Sequence, residues 1–191
     1  MREFQQLAAE SSAEGFEISS LPDFAKFPAY EENASTFAEN AAGKALHYSK
    51  FTEEPVLADD SGLVVPALGG APGVHSARYA GPGATDADGV AKLLREMKDM
   101  TGDARRAHFI CVIVVAWQGR ALAVVSDSAE GSIVSAPRGT NGFGYDPVFL
   151  FPEIGKTYAE TSDSQKNLLS HRGKAFRKTM YVLSSTKTVT F

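Results

Sequence analysis

One cysteine, Cys111, is present in 191 residues. That excludes an intrachain disulfide framework and a Cys-rich zinc site, and the plain setting for such a chain is a reducing cytoplasm. An excess of basic residues is also missing. Lys and Arg total 19 against 23 Asp and Glu, a net charge of −4. Non-sequence-specific nucleic-acid binding leans on a basic face and is disfavoured. A nucleotide site is not, because a few local cations and a metal hold phosphates. No apolar run is long enough to span a bilayer, so no membrane association is expected. No apolar stretch follows Arg2, so the opening residues are not expected to act as a signal peptide. Internal repeats and low-complexity tracts are absent. So are G-x-x-x-x-G-K-[ST], G-x-S-x-G and H-E-x-x-H, which removes the common phosphate-loop, nucleophile-elbow and zinc-protease readings.

What is present is ordinary for a globular protein: 43% hydrophobic and 22% charged residues. The length favours one domain over 1–191 or one compact two-lobed unit, able to bury roughly 70% of its unfolded surface. The first residues read as the end of an amphipathic helix with Phe4, Leu7 and Ala8 on one side, and no N-cap precedes it. Residues 15–20 alternate weakly and suggest a short strand. Thr36-Phe37-Ala38-Glu39 has the capping-box pattern. It opens a helix with Phe37, Ala41, Ala45 and Tyr48 as its apolar stripe and Asn40 with Lys44 on another face. Pro55 is expected to end it. Val56-Leu57-Ala58 and Leu63-Val64-Val65 suggest two short strands around Asp59-Asp60-Ser61-Gly62. Residues 66–83 are a long Gly/Pro-rich loop, and 86–100 a helix burying Val90, Leu93, Leu94 and Met97. Residues 107–117 and 120–127 read as strands joined by a Gln118-Gly119 hairpin turn, with a further strand over 129–135 after a bend. Residues 136–147 form a second loop. A last helix over about 164–184 has Leu168, Leu169, Phe176 and Leu183 toward the core. The mixture gives an α/β or α+β class.

Four constellations bear chemistry. Asp59-Asp60-Ser61-Gly62 leaves an apolar strand with two adjacent carboxylates, costly to bury unless neutralised. It is either a Mg²⁺ site, since that ion takes hard oxygen ligands, or a turn. Glu31-Glu32 precedes the capped helix, either as a second source of carboxylates or as an acidic pair favoured by the helix dipole. Residues 137–147 (PRGTNGFGYDP) offer Phe143 or Tyr145 for stacking on a base and Asp146 for its edge, or a tight loop with its aromatics tucked inward. Lys166 with His171 and Arg172 supplies phosphate-binding charge or a solvated helix face. His47, His75 and His108 sit in no such cluster, and Cys111 reads as inert packing.

Together these segments resemble the inosine triphosphate pyrophosphatase family. The matching stretches are TFAENAAGKA (36–45), LADDSGLVVPALGGAPGVHSARYAG (57–81), PRGTNGFGYDPVF (137–149), GKTYAE (155–160) and KNLLSHRGKA (166–175). They run in the family's order over nearly the whole chain. The resemblance implies a two-lobed mixed α/β fold, its long twisted central sheet flanked by helices and its active-site cleft between the lobes. It implies Mg²⁺-dependent hydrolysis of purine nucleoside triphosphates (dITP, ITP, XTP) to monophosphate and pyrophosphate, and a homodimer. By position, Asp60 matches the metal ligand and proton acceptor. Glu32 matches the upstream metal carboxylate, with Glu31 and Asp59 as neighbours sharing that work. Ser61, Lys44, Phe143, Gly144, Tyr145, Asp146, Lys166, His171 and Arg172 match substrate contacts.

One departure stands out. The family normally opens with an apolar strand and a [S/T]-x-N-x-G-K turn, whose N–H groups and lysine hold phosphate. Here Met1-Arg2-Glu3-Phe4 aligns with the helix after that turn. The expectation is a chain shortened by a strand and a turn that hydrolyses dITP poorly, or a non-catalytic nucleotide-binding homologue. A Maf-like pyrophosphatase is disfavoured by SHR and FGYD.

Overall fold

The computed structural model describes residues 2–10 and 16–186. Helix α1 spans Arg2–Glu10. Residues 16–20 have neither helix nor strand, and residue 15 lies outside the described residues. Their alternation serves packing instead: Phe16 and Ile18 rest against a core cluster without joining a ladder.

Helix α2 spans Phe37–Tyr48. Thr36 Oγ1 accepts from the Glu39 N–H at 3.2 Å, which satisfies one of the orphan donors of the first turn. The returning arm of the capping box is rerouted. Glu39 accepts from the hydroxyls of Thr36 and Ser35. The helix stops at Ser49, well before Pro55. There the Ser49 N–H still reaches Ala45 O, and its hydroxyl donates to Leu46 O and accepts from Gly119 N–H.

Strand β1 spans Val56–Val64 without interruption. Asp59-Asp60-Ser61-Gly62 is therefore strand and not turn. Ladder bonding to its neighbour overrides the local turn preference of Asp-Ser-Gly, as tertiary context often does for β-propensity. Helix α3 spans Asp86–Glu96, shorter than periodicity suggests, with a full Thr85–Asp88 capping box. Strands β2 (Arg106–Trp117) and β3 (Arg120–Ile133) form the long hairpin. Gln118 and Gly119 both have positive φ, 47° and 76°, the two-residue geometry that matches strand twist. β3 runs on through the region where a bend and a separate strand were expected. Strands β4 (Phe149–Phe151) and β5 (Lys156–Thr157) complete a sheet in the order β1-β2-β3-β4-β5. β3 with β4, and β4 with β5, pair antiparallel.

The last helix is two. α4 spans Asp163–Leu169 and α5 His171–Thr186, separated by Ser170 in extended conformation (ψ 155°). Neither Gly nor Pro marks the break, so periodicity alone runs through it. Leu168 faces solvent at 64% exposure and is not core, whereas Phe176 is fully buried.

The chain divides into two compact units. The first comprises Met1–Asp60, Cys111–Asp127 and Arg172–Phe191, and its core gathers Phe4, Leu7, Cys111, Ile113, Ala175, Phe176 and Met180. The second comprises Ser61–Ile110 and Ser128–His171. Its core includes Leu63, Leu93, Met97, Phe109, Phe149 and Tyr158. Among the described residues no helix is long and apolar enough to cross a membrane.

Candidate active site

Consecutive side chains of a strand point to opposite faces, and β1 uses this to separate its two carboxylates. Asp60 meets α2. Its Oδ1 lies 3.3 Å from Lys44 Nζ and its Oδ2 accepts from Asn40 Nδ2 at 3.2 Å. Lys44 Nζ also reaches Glu32 Oε2 at 3.0 Å. Asn40 and Lys44 stand four residues apart, one helical turn, so a single face of α2 gathers both carboxylates. Burial raises the Asp60 pKa above its ordinary value. Lys44 and the Asn40 hydrogen bond pull it back down, and Glu32 pushes it up. Glu31 is not drawn in. Its Oε2 accepts from Asn33 Nδ2.

Asp59 meets a different set. Its Oδ2 accepts from Arg172 Nε at 3.1 Å, and the Cys111 thiol lies 3.9 Å away. Arg172 Nη1 donates to Glu3 Oε2 at 2.7 Å. Burial works against the Arg172 charge, yet Asp59 and Glu3 together raise its pKa above the ordinary arginine value.

In the second unit, Asp146 and Lys166 are both buried and paired at 2.5 Å. Asp146 Oδ2 also accepts the Phe143 N–H at 2.9 Å, closing a tight loop. Lys166 Nζ lies 4.4 Å from the centroid of the Phe143 ring, a cation–π distance. Phe143 itself is exposed. Gly142 makes this loop possible. Its φ is +77°, and a Cβ there would meet Asp146 Oδ2 at 2.0 Å. The Gly144 N–H donates to Asp86 Oδ2. Tyr145 is not a stacking platform: it is buried, its hydroxyl donates to Ser76 O, and burial raises its pKa. His171 is buried, stacked on Phe109 at 4.6 Å and 8°. Ser61 is half-buried within β1.

Sequence reasoning missed three members of these groups. Asn40 was visible as a helix-face neighbour of Lys44. Glu3 carried no signal, since it meets Arg172 from the far end of the chain. Gly142 was one of several loop glycines. Among the described residues no group of three or more His, Cys, Asp or Glu side chains is gathered as a metal cage. The donor set nevertheless suits Mg²⁺, which keeps its waters and takes one or two carboxylates. Glu32 Oε2 and Asp60 Oδ1 converge on one point, where the Lys44 ammonium lies.

The first unit thus sets two carboxylates around a lysine ammonium, and the second carries a glycine-bounded loop with an exposed aromatic ring. The chain belongs to the Ham1 family, whose sequence model matches residues 1–182. It is 53% identical over 178 residues to the dITP/XTP pyrophosphatase of Geobacillus kaustophilus, covering 93% of this chain and 86% of that one. The solved structure of a HAM1 protein from Coxiella burnetii matches with a TM-score of 0.84 at 42% identity, covering 96% of this chain and 92% of the other. A dITP/XTP pyrophosphatase from Mycobacterium abscessus matches with a TM-score of 0.75 at 36% identity, covering 95% and 93%.

Proposed function

We propose that this chain hydrolyses dITP, XTP and ITP to the nucleoside monophosphate and pyrophosphate, with Mg²⁺ as cofactor and as a homodimer. The observation that carries the reading is the Asp60 carboxylate, held by Asn40 and sharing Lys44 with Glu32. Membership of the Ham1 family and the identity to named dITP/XTP pyrophosphatases support it.

Glu32 and Asp60 would hold the metal, with Glu31 and Asp59 as the nearby carboxylates in sequence. When bound, Mg²⁺ neutralises charge on the triphosphate and on the leaving pyrophosphate. Asp60 orients the attacking water and accepts its proton. A pKa raised by burial makes it a better acceptor than an exposed aspartate. Lys44 keeps the two carboxylates from repelling each other and offers a fixed cation to phosphate. Ser61 follows Asp60 and offers a hydroxyl. In the second unit, Phe143 supplies a stacking face, and Gly144 and Tyr145 keep the loop in shape. Lys166, fixed by Asp146, offers a donor to the purine C6 keto oxygen. His171 and Arg172 supply further donors. An amino group at C6 would leave such buried donors unpaired, which is how a site rejects the wrong base strongly.

Pyrophosphate release from dITP with Mg²⁺ tests the proposal. Asp60→Asn is expected to lower turnover by roughly a thousandfold while the circular dichroism spectrum stays native. Orthophosphate as the product, or an undiminished rate in the variant, overturns it. Sedimentation at micromolar concentration tests the dimer.

A further inference from the structure

Asn40 is a buried amide, 1% exposed, with both ends engaged. Its Nδ2 donates to Asp60 Oδ2 at 3.2 Å, and its Oδ1 accepts the Ala34 N–H at 3.1 Å. Ala34 ends the short segment that carries Glu32. That segment is stitched along the same face of α2 at three more places. Tyr48 Oη accepts the Tyr30 N–H at 3.1 Å, His47 Nε2 lies 2.8 Å from Pro28 O, and Lys44 holds Glu32 itself. The Tyr30 ring fills the space over Gly43, where a Cβ would come within 1.9 Å of its hydroxyl. Positions 40, 43, 44, 47 and 48 form one helical stripe.

We propose that Asn40 is a positioning residue. By bridging Ala34 N–H and Asp60 Oδ2 it sets the distance between the Glu32 and Asp60 carboxylates and turns Asp60 Oδ1 toward the cation. The inference rests on Asp60 and Glu32 being the metal carboxylates of the proposed reaction. An amide suits the task. It donates to the carboxylate on one side and accepts from backbone on the other, with no charge of its own to compete for metal. Groups that orient ligating carboxylates typically change metal affinity by about ten- to a hundredfold when removed.

The test is a double-mutant cycle on binding. The probe is a non-hydrolysable α,β-imido analogue of dITP, titrated calorimetrically with and without Mg²⁺. Asn40→Leu is expected to weaken Mg²⁺-dependent binding on the order of tenfold and to leave Mg²⁺-independent binding unchanged. In an Asp60→Asn background the same substitution is expected to change binding by less than about twofold, since Asn40 then has no carboxylate to orient. Asn40→Asp keeps the acceptor for Ala34 N–H, loses the donor to Asp60, and is expected to show a defect of its own. Thermal midpoints are recorded for each variant, and Asn40→Asp serves if Asn40→Leu fails to fold. Equal weakening in both backgrounds, or no weakening in either Asn40 variant, overturns the assignment. If instead Asp60→Asn alone leaves the Mg²⁺ dependence intact, the reading of the metal carboxylates fails, and the inference resting on it falls with it.

Discussion

Asp60 is held where folding gains nothing from its charge. Burial raises its pKa, and Lys44 and Asn40 only partly offset that. A carboxylate whose folded pKa is raised contributes stability below the ordinary carboxylate pKa and loses it as pH climbs through the folded value. Asp60→Asn removes the ionisation at nearly constant shape. In metal-free buffer at pH 7 the variant is expected to be more stable than the parent in a urea titration. The difference should vanish below about pH 4. A variant less stable at pH 7 would mean that the Lys44 and Asn40 contacts outweigh burial. At this scale the pair Asp59-Asp60 was plain in the sequence as a place for chemistry. Its division between two faces was not, because it depends on the segment being strand. The Arg172–Glu3 pair was out of reach altogether: no local pattern couples residues so far apart along the chain.

Elements whose ends carry side-chain signals were the readable ones. Thr36 marks the start of α2 and Gln118-Gly119 the hairpin turn, while α3 was placed by its apolar periodicity and its Thr85 cap was seen only in the structure. Ends without such marks were misplaced: the break at Ser170, the length of β3, and the continuity of β1 through Asp-Asp-Ser-Gly. These are settled by ladder partners and packing. Arg105 shows how such long-range closure works. Its guanidinium donates to the carbonyls of Met97 and Met100, just past α3, and of Ile133 and Val134, at the end of β3. The fork thus pins the end of a helix to the end of a strand. A lysine presents a point charge and cannot span four carbonyls. Arg105→Lys is expected to cost about 2 kcal/mol by urea denaturation, with kcat for dITP unchanged. A loss below about 0.5 kcal/mol would place the variant among ordinary surface substitutions and remove the pinning role.

Across the whole molecule, the two units have separate cores while the chain crosses between them repeatedly. Both ends of the described chain serve the first unit. Leu7 on α1 is 2% exposed, and neighbouring Phe4 packs its ring 5.8 Å from that of Phe176 on α5. Removing the Leu7 side chain should therefore act on the first unit before the second. Leu→Ala in a packed core costs about 3 kcal/mol or more. If that loss is felt as a sub-global opening, amide hydrogens of α5 and of the neighbourhood of Asp60 should exchange roughly a hundredfold faster, about 1.4 kcal/mol per factor of ten. Amides of α3 and β4, which belong to the second core, should keep their protection. Turnover of dITP would fall with the first unit, since Asp60, Lys44 and Glu32 all belong to it. Native-state hydrogen exchange of Leu7→Ala resolves the question directly. Uniform acceleration across both cores would mean that the two unfold as one cooperative body, and the division would then describe packing without describing stability.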